Sequence, residues 1–338
     1  MVQDMFHSVR SICFRTVLLL LLTSAEGLYS QTSIDDVHVV PRTPGIELAT
    51  ATAGPRLSGA GLIRTSTELV MVPVTITDDM NRPVTGLDRD NFQLFENKQA
   101  QEIKNFSSED APVSIGIIMD VSGSMSDKLE RARDAVHQFC DASNPQDEFF
   151  MVTFSDAPRL ATDFTDRPEE IENALLGAQS KGRTSLLDAI YMGIHKMKDA
   201  RYSRRALLII SDGGDNHSRY SDRDVKNAVR EADILIYAVG TYDRYVNTQE
   251  ELLGPELLQN IAGETGGQAY TLSNVRELPE ITRAIGNRLR HQYMLAYRPQ
   301  THSHDGKWHK IKVKLLLPKK LSSFVRVSAR TGYYAGAE

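Results

Sequence analysis

The chain of 338 residues is 41% hydrophobic and 25% charged, the balance of an ordinary globular protein, which excludes a disordered or collagen-like chain. Two cysteines exclude a disulfide-dense scaffold, and the length suggests about two domains. The net charge of −5 is unevenly spread: from His291 onward nine Lys and Arg face two acids, a net +7, which leaves −12 on residues 1–290. A basic tail beside an acidic body suits an acidic partner, or is a strand face dressed with lysine against edge pairing.

Residues 1–30 read as an export signal. Arg10 and Arg15 precede the apolar run TVLLLLLTSA (16–25), which is too short to span a bilayer comfortably. Cleavage after Ala25 or Gly27 removes Cys13 and leaves Cys140 alone, so the mature chain has no internal disulfide; a retained signal anchor is the competing reading. Residues 31–66, rich in Pro, Gly, Ala and Thr, form a linker or loosely ordered arm. No other stretch is long and apolar enough to predict a membrane span.

From residue 67 to 110 the period is two. LVMVPVTIT is a half-buried strand in which Pro73 argues for a sheet edge, DDMNRP is a turn, and NFQLFENKQ and QEIKNFS are two further strands. Residues 111–290 alternate short apolar runs (VSIGIIMD, EFFMVTFS, ALLIISD, DILIYAVG) with amphipathic helices. The helices include one over Leu129 to Cys140, one over Leu186 to Met197, and a closing helix over about 275–290. Runs of that kind are buried on both faces of a parallel sheet, which predicts a doubly wound, mostly parallel α/β domain. Residues 291–338 return to period two. Neither flanking set of strands makes a comfortable core alone, so the two sets are expected to pair into one β-sandwich, with the α/β domain inserted between them.

In an open α/β sheet, ligands bind outside the carboxyl ends of the strands. Asp120 ends the first strand of this domain, so Asp120, Ser122 and Ser124 belong to that rim, and Asp212 ends another strand there. Thr184, in KGRTSLLDA, lies in a polar loop before a helix. Taken alone, Asp120, Ser122 and Ser124 read equally as a helix N-cap and turn. Two carboxylates and three hydroxyls from three segments, without His or Cys, are instead the hard oxygen donors that suit Mg²⁺, Mn²⁺ or Ca²⁺ rather than zinc. Such a site has room for one more anionic oxygen from a partner.

D-x-S-x-S at 120–124, the threonine of GRTSLLDA and the aspartate of ISDGGDN together resemble the metal-ion-dependent adhesion site of von Willebrand factor type A (VWA) domains, over about residues 113–290. The resemblance implies a Mg²⁺ site in which Ser122, Ser124 and Thr184 act through hydroxyls, with Asp120 and Asp212 direct or through water. It also implies a protein ligand offering an acidic side chain, and no nucleic acid. The flanks, VPVTITDDMNRP through QEIKNFS and QYMLAYRP through GYYAG, are similar to VWA-related proteins of Acidobacteria. Integrin β-subunits hold a second ion with two adjacent aspartates after the serines; the corresponding pair here is Asp127-Lys128, and the lysine argues against a second ion.

Asp215 and Asn216 read as solvated loop residues, Asp188 as a surface residue or a cap of nearby backbone, and Cys140 as a buried inert thiol. His302, His304 and His309 in THSHDGKWH read as a polar hairpin, with a second metal site as the alternative. A phosphotransferase of the haloacid dehalogenase type needs a carboxylate two residues after its nucleophilic aspartate. Ser122 stands there instead, and a Gly-rich phosphate loop with lysine is missing. The expectation is a non-enzymatic, exported adhesion module, against the alternative of an envelope protein whose metal only stabilises the fold. A shift of the closing helix on ligand binding could be passed to the flanking strands; a rigid joint is the alternative.

Overall fold

The computed structural model describes residues 69–212, 214–242, 249–299, 305–318 and 324–335. The expected signal and arm, together with His302 and His304, lie outside the described residues.

The strands are β1 (Val70–Asp78), β2 (Phe92–Glu96), β3 (Gln99–Gln101), β4 (Ile103–Ser107), β5 (Ser114–Asp120), β6 (Glu148–Phe154) and β7 (Pro158–Thr165). They continue as β8 (Arg205–Ser211), β9 (Leu235–Thr241), β10 (Gln268–Leu272), β11 (Tyr293–Tyr297), β12 (Trp308–Leu315), β13 (Val325–Ala329) and β14 (Gly332–Tyr334). The helices are α1 (Leu129–Ala142), α2 (Pro168–Leu176), α3 (Leu186–Lys196), α4 (Asp222–Glu231), α5 (Gln249–Thr265) and α6 (Leu278–Arg290).

The middle of the chain folds into a six-stranded sheet of order β10-β9-β8-β5-β6-β7, parallel except for β7, which runs antiparallel to β6 at one edge. Strands β5, β6 and β9 are buried along their whole length, which explains their unbroken apolar runs. Alternate residues feed two cores. Ile115, Ile117 and Met119 pack with Val136 and Phe139 of α1, Ile171 of α2 and Ile285 of α6. Ile118, Val152 and Ile209 pack with Ile190 of α3, Val229 of α4 and Ile261 of α5 on the other face. Three helices on each face make this the doubly wound α/β arrangement expected from the sequence.

Strands from the two ends of the chain pair with each other. They form two four-stranded antiparallel sheets, β13-β1-β11-β4 and β14-β12-β2-β3, each mixing strands from before and after the α/β segment. Val72, Val74, Ile76, Tyr293 and Leu295 of the first share one apolar cluster with Phe92, Leu94 and Ile311 of the second. The stretch NFQLFENKQ is two strands rather than one: Asn97 (φ 47°) and Lys98 (φ 73°) make a two-residue turn between β2 and β3.

The expectation that Pro73 marks a sheet edge needs correction. β1 lies between β11 and β13, but it pairs with β11 over Val70–Val74 and with β13 over Val74–Asp78. Pro73 therefore falls where β13 has not yet begun, and its missing N–H interrupts no ladder on that side.

Candidate metal rim

The chain leaves β5 toward β6 on one side and returns to β8 on the other, so the strand order reverses between β5 and β8. That switch point opens a crevice at the carboxyl ends of the two strands. Asp120 is the last residue of β5, and Asp212 follows the last residue of β8. Both are buried, with Ser122 and Thr184, whereas Ser124 is exposed.

In the Asp120 carboxylate, Oδ1 accepts from the Ser122 backbone N–H (2.8 Å) and Oδ2 from the Ser211 hydroxyl (2.6 Å). The Ser122 and Ser124 hydroxyl oxygens lie 3.1 Å apart. The N-cap reading of this cluster fails for α1. That helix starts at Leu129 behind Lys128, and Ser122, at the head of a single 3-10 turn over Gly123–Met125, makes no side-chain cap bond. The cluster does not close the end of α1.

The loop before α3 is fastened to this cluster through the backbone. Gly123 N–H donates to Gly182 O (3.1 Å), and Lys181 N–H donates to Val121 O (3.0 Å). Thr184 is gripped from the next loop: its N–H donates to the Asn216 side-chain oxygen (3.0 Å), and its carbonyl accepts from Asn216 N–H and His217 N–H. Asn216 is thus a positioning residue as well as a solvated one. Asp215 is half-buried and accepts from the Ser218 hydroxyl (2.6 Å) and Leu187 N–H (3.4 Å). Asp188 is buried, not on the surface, and caps backbone as the alternative reading had it, accepting from Arg219 N–H and Tyr220 N–H. These bonds link distant loops, so spacing along the sequence does not reveal them. Ser211 carried one local signal, a hydroxyl beside the strand-ending Asp212.

The rim carboxylates are buried close to one another. Burial, and after it the negative charge of Asp212, push the pKa of Asp120 up to about 7. Burial and the same Asp212 charge raise the Tyr242 phenol, whose buried hydroxyl has no hydrogen-bond partner among the described residues. Lys128 is buried beside them, its ammonium 4.0 Å from Asp212 Oδ2 and 3.5 Å from Thr241 O. Among the described residues, no group of three or more His, Cys, Asp or Glu side chains is placed to hold a metal. The rim offers two carboxylates with hydroxyls, a donor set that fits a hard divalent cation and does not fit zinc.

The other candidates resolve simply. Cys140 is buried, and burial pushes its thiol well above the ordinary range, which makes it inert. His309 lies in β12 with Nδ1 2.5 Å from Glu96 Oε1 and Nε2 3.2 Å from Asp305 Oδ1.

The sequence model of the von Willebrand factor type A domain matches residues 115–214, a span that contains Asp120, Ser122, Ser124, Thr184 and Asp212. The chain carries a VWA domain. It is 25% identical over 134 residues to human inter-alpha-trypsin inhibitor heavy chain H4, covering 36% of this chain and 14% of that protein. The bovine protein of the same name is 23% identical over 167 residues, covering 46% and 18%. The chain therefore spans less than a fifth of these curated relatives. Among solved structures it is similar to a von Willebrand factor type A protein from Catenulispora acidiphila, with 12% identity, a TM-score of 0.47, and coverage of 81% of this chain and 76% of that one. No described helix is long and apolar enough to cross a membrane.

Proposed function

We propose that this protein is an exported, non-enzymatic interaction module that captures an acidic side chain of another protein through a divalent cation, Mg²⁺ first among the candidates, at the rim of its VWA domain. The observation that carries this reading is the convergence of Asp120 and Asp212 with the hydroxyls of Ser122 and Ser124 at one switch point, with Thr184 on a loop hydrogen-bonded to it. Asp120 and Asp212 would balance the ion's charge, and the three hydroxyls would add donors without adding charge. When bound, the cation supplies an open coordination position for one anionic oxygen. Ser211 and the Ser122 backbone hold the Asp120 carboxylate oriented, and Asn216 holds the Thr184 backbone. No histidine stands among the five residues to act as a general base beside the ion. The flanking sheets, with their shared apolar cluster, support the sandwich expected from the sequence.

The test is calorimetric titration of Mg²⁺ and Mn²⁺ into the metal-free full chain and into Asp120→Ala, with and without an acidic peptide. Saturable binding of one ion per chain, lost in the variant and tightened by the peptide, is the expected result. Binding that no acidic peptide tightens would favour a purely stabilising ion. A folded chain that takes up no ion with or without peptide would sink the reading.

A further inference from the structure

Arg183 is the residue immediately before Thr184, so its Cα lies about 3.8 Å from that of a rim residue. It is exposed, and its backbone is fixed: its N–H donates to Asp156 Oδ1 (2.8 Å), while Gly182 before it accepts from Gly123 N–H. One guanidinium nitrogen, Nη1, meets His217 Nδ1 at 3.3 Å, and His217 is itself held by its N–H to Thr184 O. The imidazole nitrogen accepts there, which takes one of five guanidinium N–H donors. Among the described residues, no carboxylate pairs with this guanidinium. Arg219, on the neighbouring loop, differs: its Nε lies 3.3 Å from the buried Asp188 carboxylate. The rim thus presents one oriented arginine with donors to spare next to the place where a carboxylate would bind.

We infer that Arg183 is a second anchor, taking a carboxylate of the partner adjacent to the one that reaches the cation, so that the domain selects acidic segments rather than single acids. This inference rests on the proposed cation site. An extended partner strand would supply the two acids, since its residues i and i+2 point to one face about 6.6 Å apart. A guanidinium binds a carboxylate through two parallel N–H donors, which a lone lysine cannot do. The chemical class of the partner is therefore a protein segment of the form Asp-x-Asp or Asp-x-Glu in extended conformation.

The experiment uses the full chain with saturating Mg²⁺ and two capped peptides, Gly-Ser-Asp-Gly-Asp-Ser-Gly and the same peptide with its second Asp replaced by Asn. The diacid is expected to bind about fivefold to tenfold more tightly. Arg183→Gln should erase that preference while leaving the ion titration unchanged, and Arg183→Lys should restore part of it. Arg219→Gln, the control on the same rim, should keep the preference intact. Equal binding of the two peptides by the wild-type chain, a preference that survives Arg183→Gln, or no measurable binding of either peptide by the ion-loaded chain overturns the inference. If the chain takes up no ion, the cation site fails independently. Arg183 is then judged by whether the diacid still binds more tightly to the wild type than to Arg183→Gln in the presence of chelator: a retained difference supports the anchor, and its absence overturns it.

Discussion

The ammonium of Lys128 stands 4.0 Å from the carboxylate of Asp212, and both side chains are more than nine-tenths buried. An ammonium and a divalent cation would therefore share one carboxylate. Unit charges at that distance interact by about 4 kcal/mol at an effective dielectric of 20, so the pair matters to both stability and affinity. Lys128→Met is expected to tighten Mg²⁺ binding by about tenfold, because a like charge beside the ion is gone. The metal-free variant should melt at a lower temperature than the wild type, because a compensating charge beside a buried carboxylate has been removed. Paired calorimetry and thermal melts check both signs; unchanged or weaker ion binding would show that Lys128 only positions Asp212.

Ser211→Ala removes the 2.6 Å hydrogen bond to Asp120 Oδ2 and leaves a buried carboxylate one donor short. A loss of about 1–3 kcal/mol in urea unfolding of the metal-free chain is expected. The carboxylate would remain at the rim, so saturable ion binding should persist at reduced affinity. That separates this variant from Asp120→Ala.

Gly182 combines a φ of +85° with a crowded flank, where an added Cβ would lie 2.6 Å from Asp156 Oδ2. Gly182→Ala should therefore cost about 1–3 kcal/mol and disturb the loop that carries Arg183 and Thr184. Adding Asp156→Ala relieves the contact but not the backbone strain, so the double variant should recover only part of the loss in equilibrium unfolding.

A pH effect is expected far from the rim. Burial alone would lower the pKa of His309, but the hydrogen bonds that the ring donates to the Glu96 and Asp305 carboxylates outweigh it and hold the value above the ordinary 6.5. The Tyr333 ring lies 5.4 Å away, and its hydroxyl donates to the same Glu96 oxygen. A raised folded-state pKa means the stabilisation is fully present below pH 6.5 and is lost as pH rises through the folded value. The stability difference between the wild type and His309→Gln should shrink on going from pH 5.5 to 8.5. A difference that stays constant over that range would mean that His309 holds no proton in exchange with solvent.

What the sequence disclosed follows from where the signals are local. The seven-residue buried run ending at Asp120 and the apolar side of α1 are written in consecutive residues, and they were legible. β7, α2 and β10 were not. β7 is an edge strand with no buried residue, α2 has nine residues with only Ile171 and Leu175 buried, and β10 has one buried side chain, Leu272. Each is specified mainly by its neighbours in the sheet. At the rim, the five oxygen-bearing residues could be picked out by type and order. The grip of Asn216 on Thr184 spans 32 residues, and that of Ser211 on Asp120 spans 91. Such bonds exist only once β5 and β8 lie side by side.

The pairing of β1 with β11 has a mechanical consequence. Val70, the first residue of β1, lies opposite Tyr297, the last residue of β11, so a pull on the chain before β1 loads that end of their ladder first. Tension applied through the chain before β1 and after β14 is therefore met first by the ladders β1–β11 and β12–β14. The peptide from β5 to β10 lies outside that line of force as long as those ladders hold. A tug on a captured partner would enter through the rim, whereas a tug on the flanks would load the ladders of β1 and β14 before it reached the strands that carry the rim.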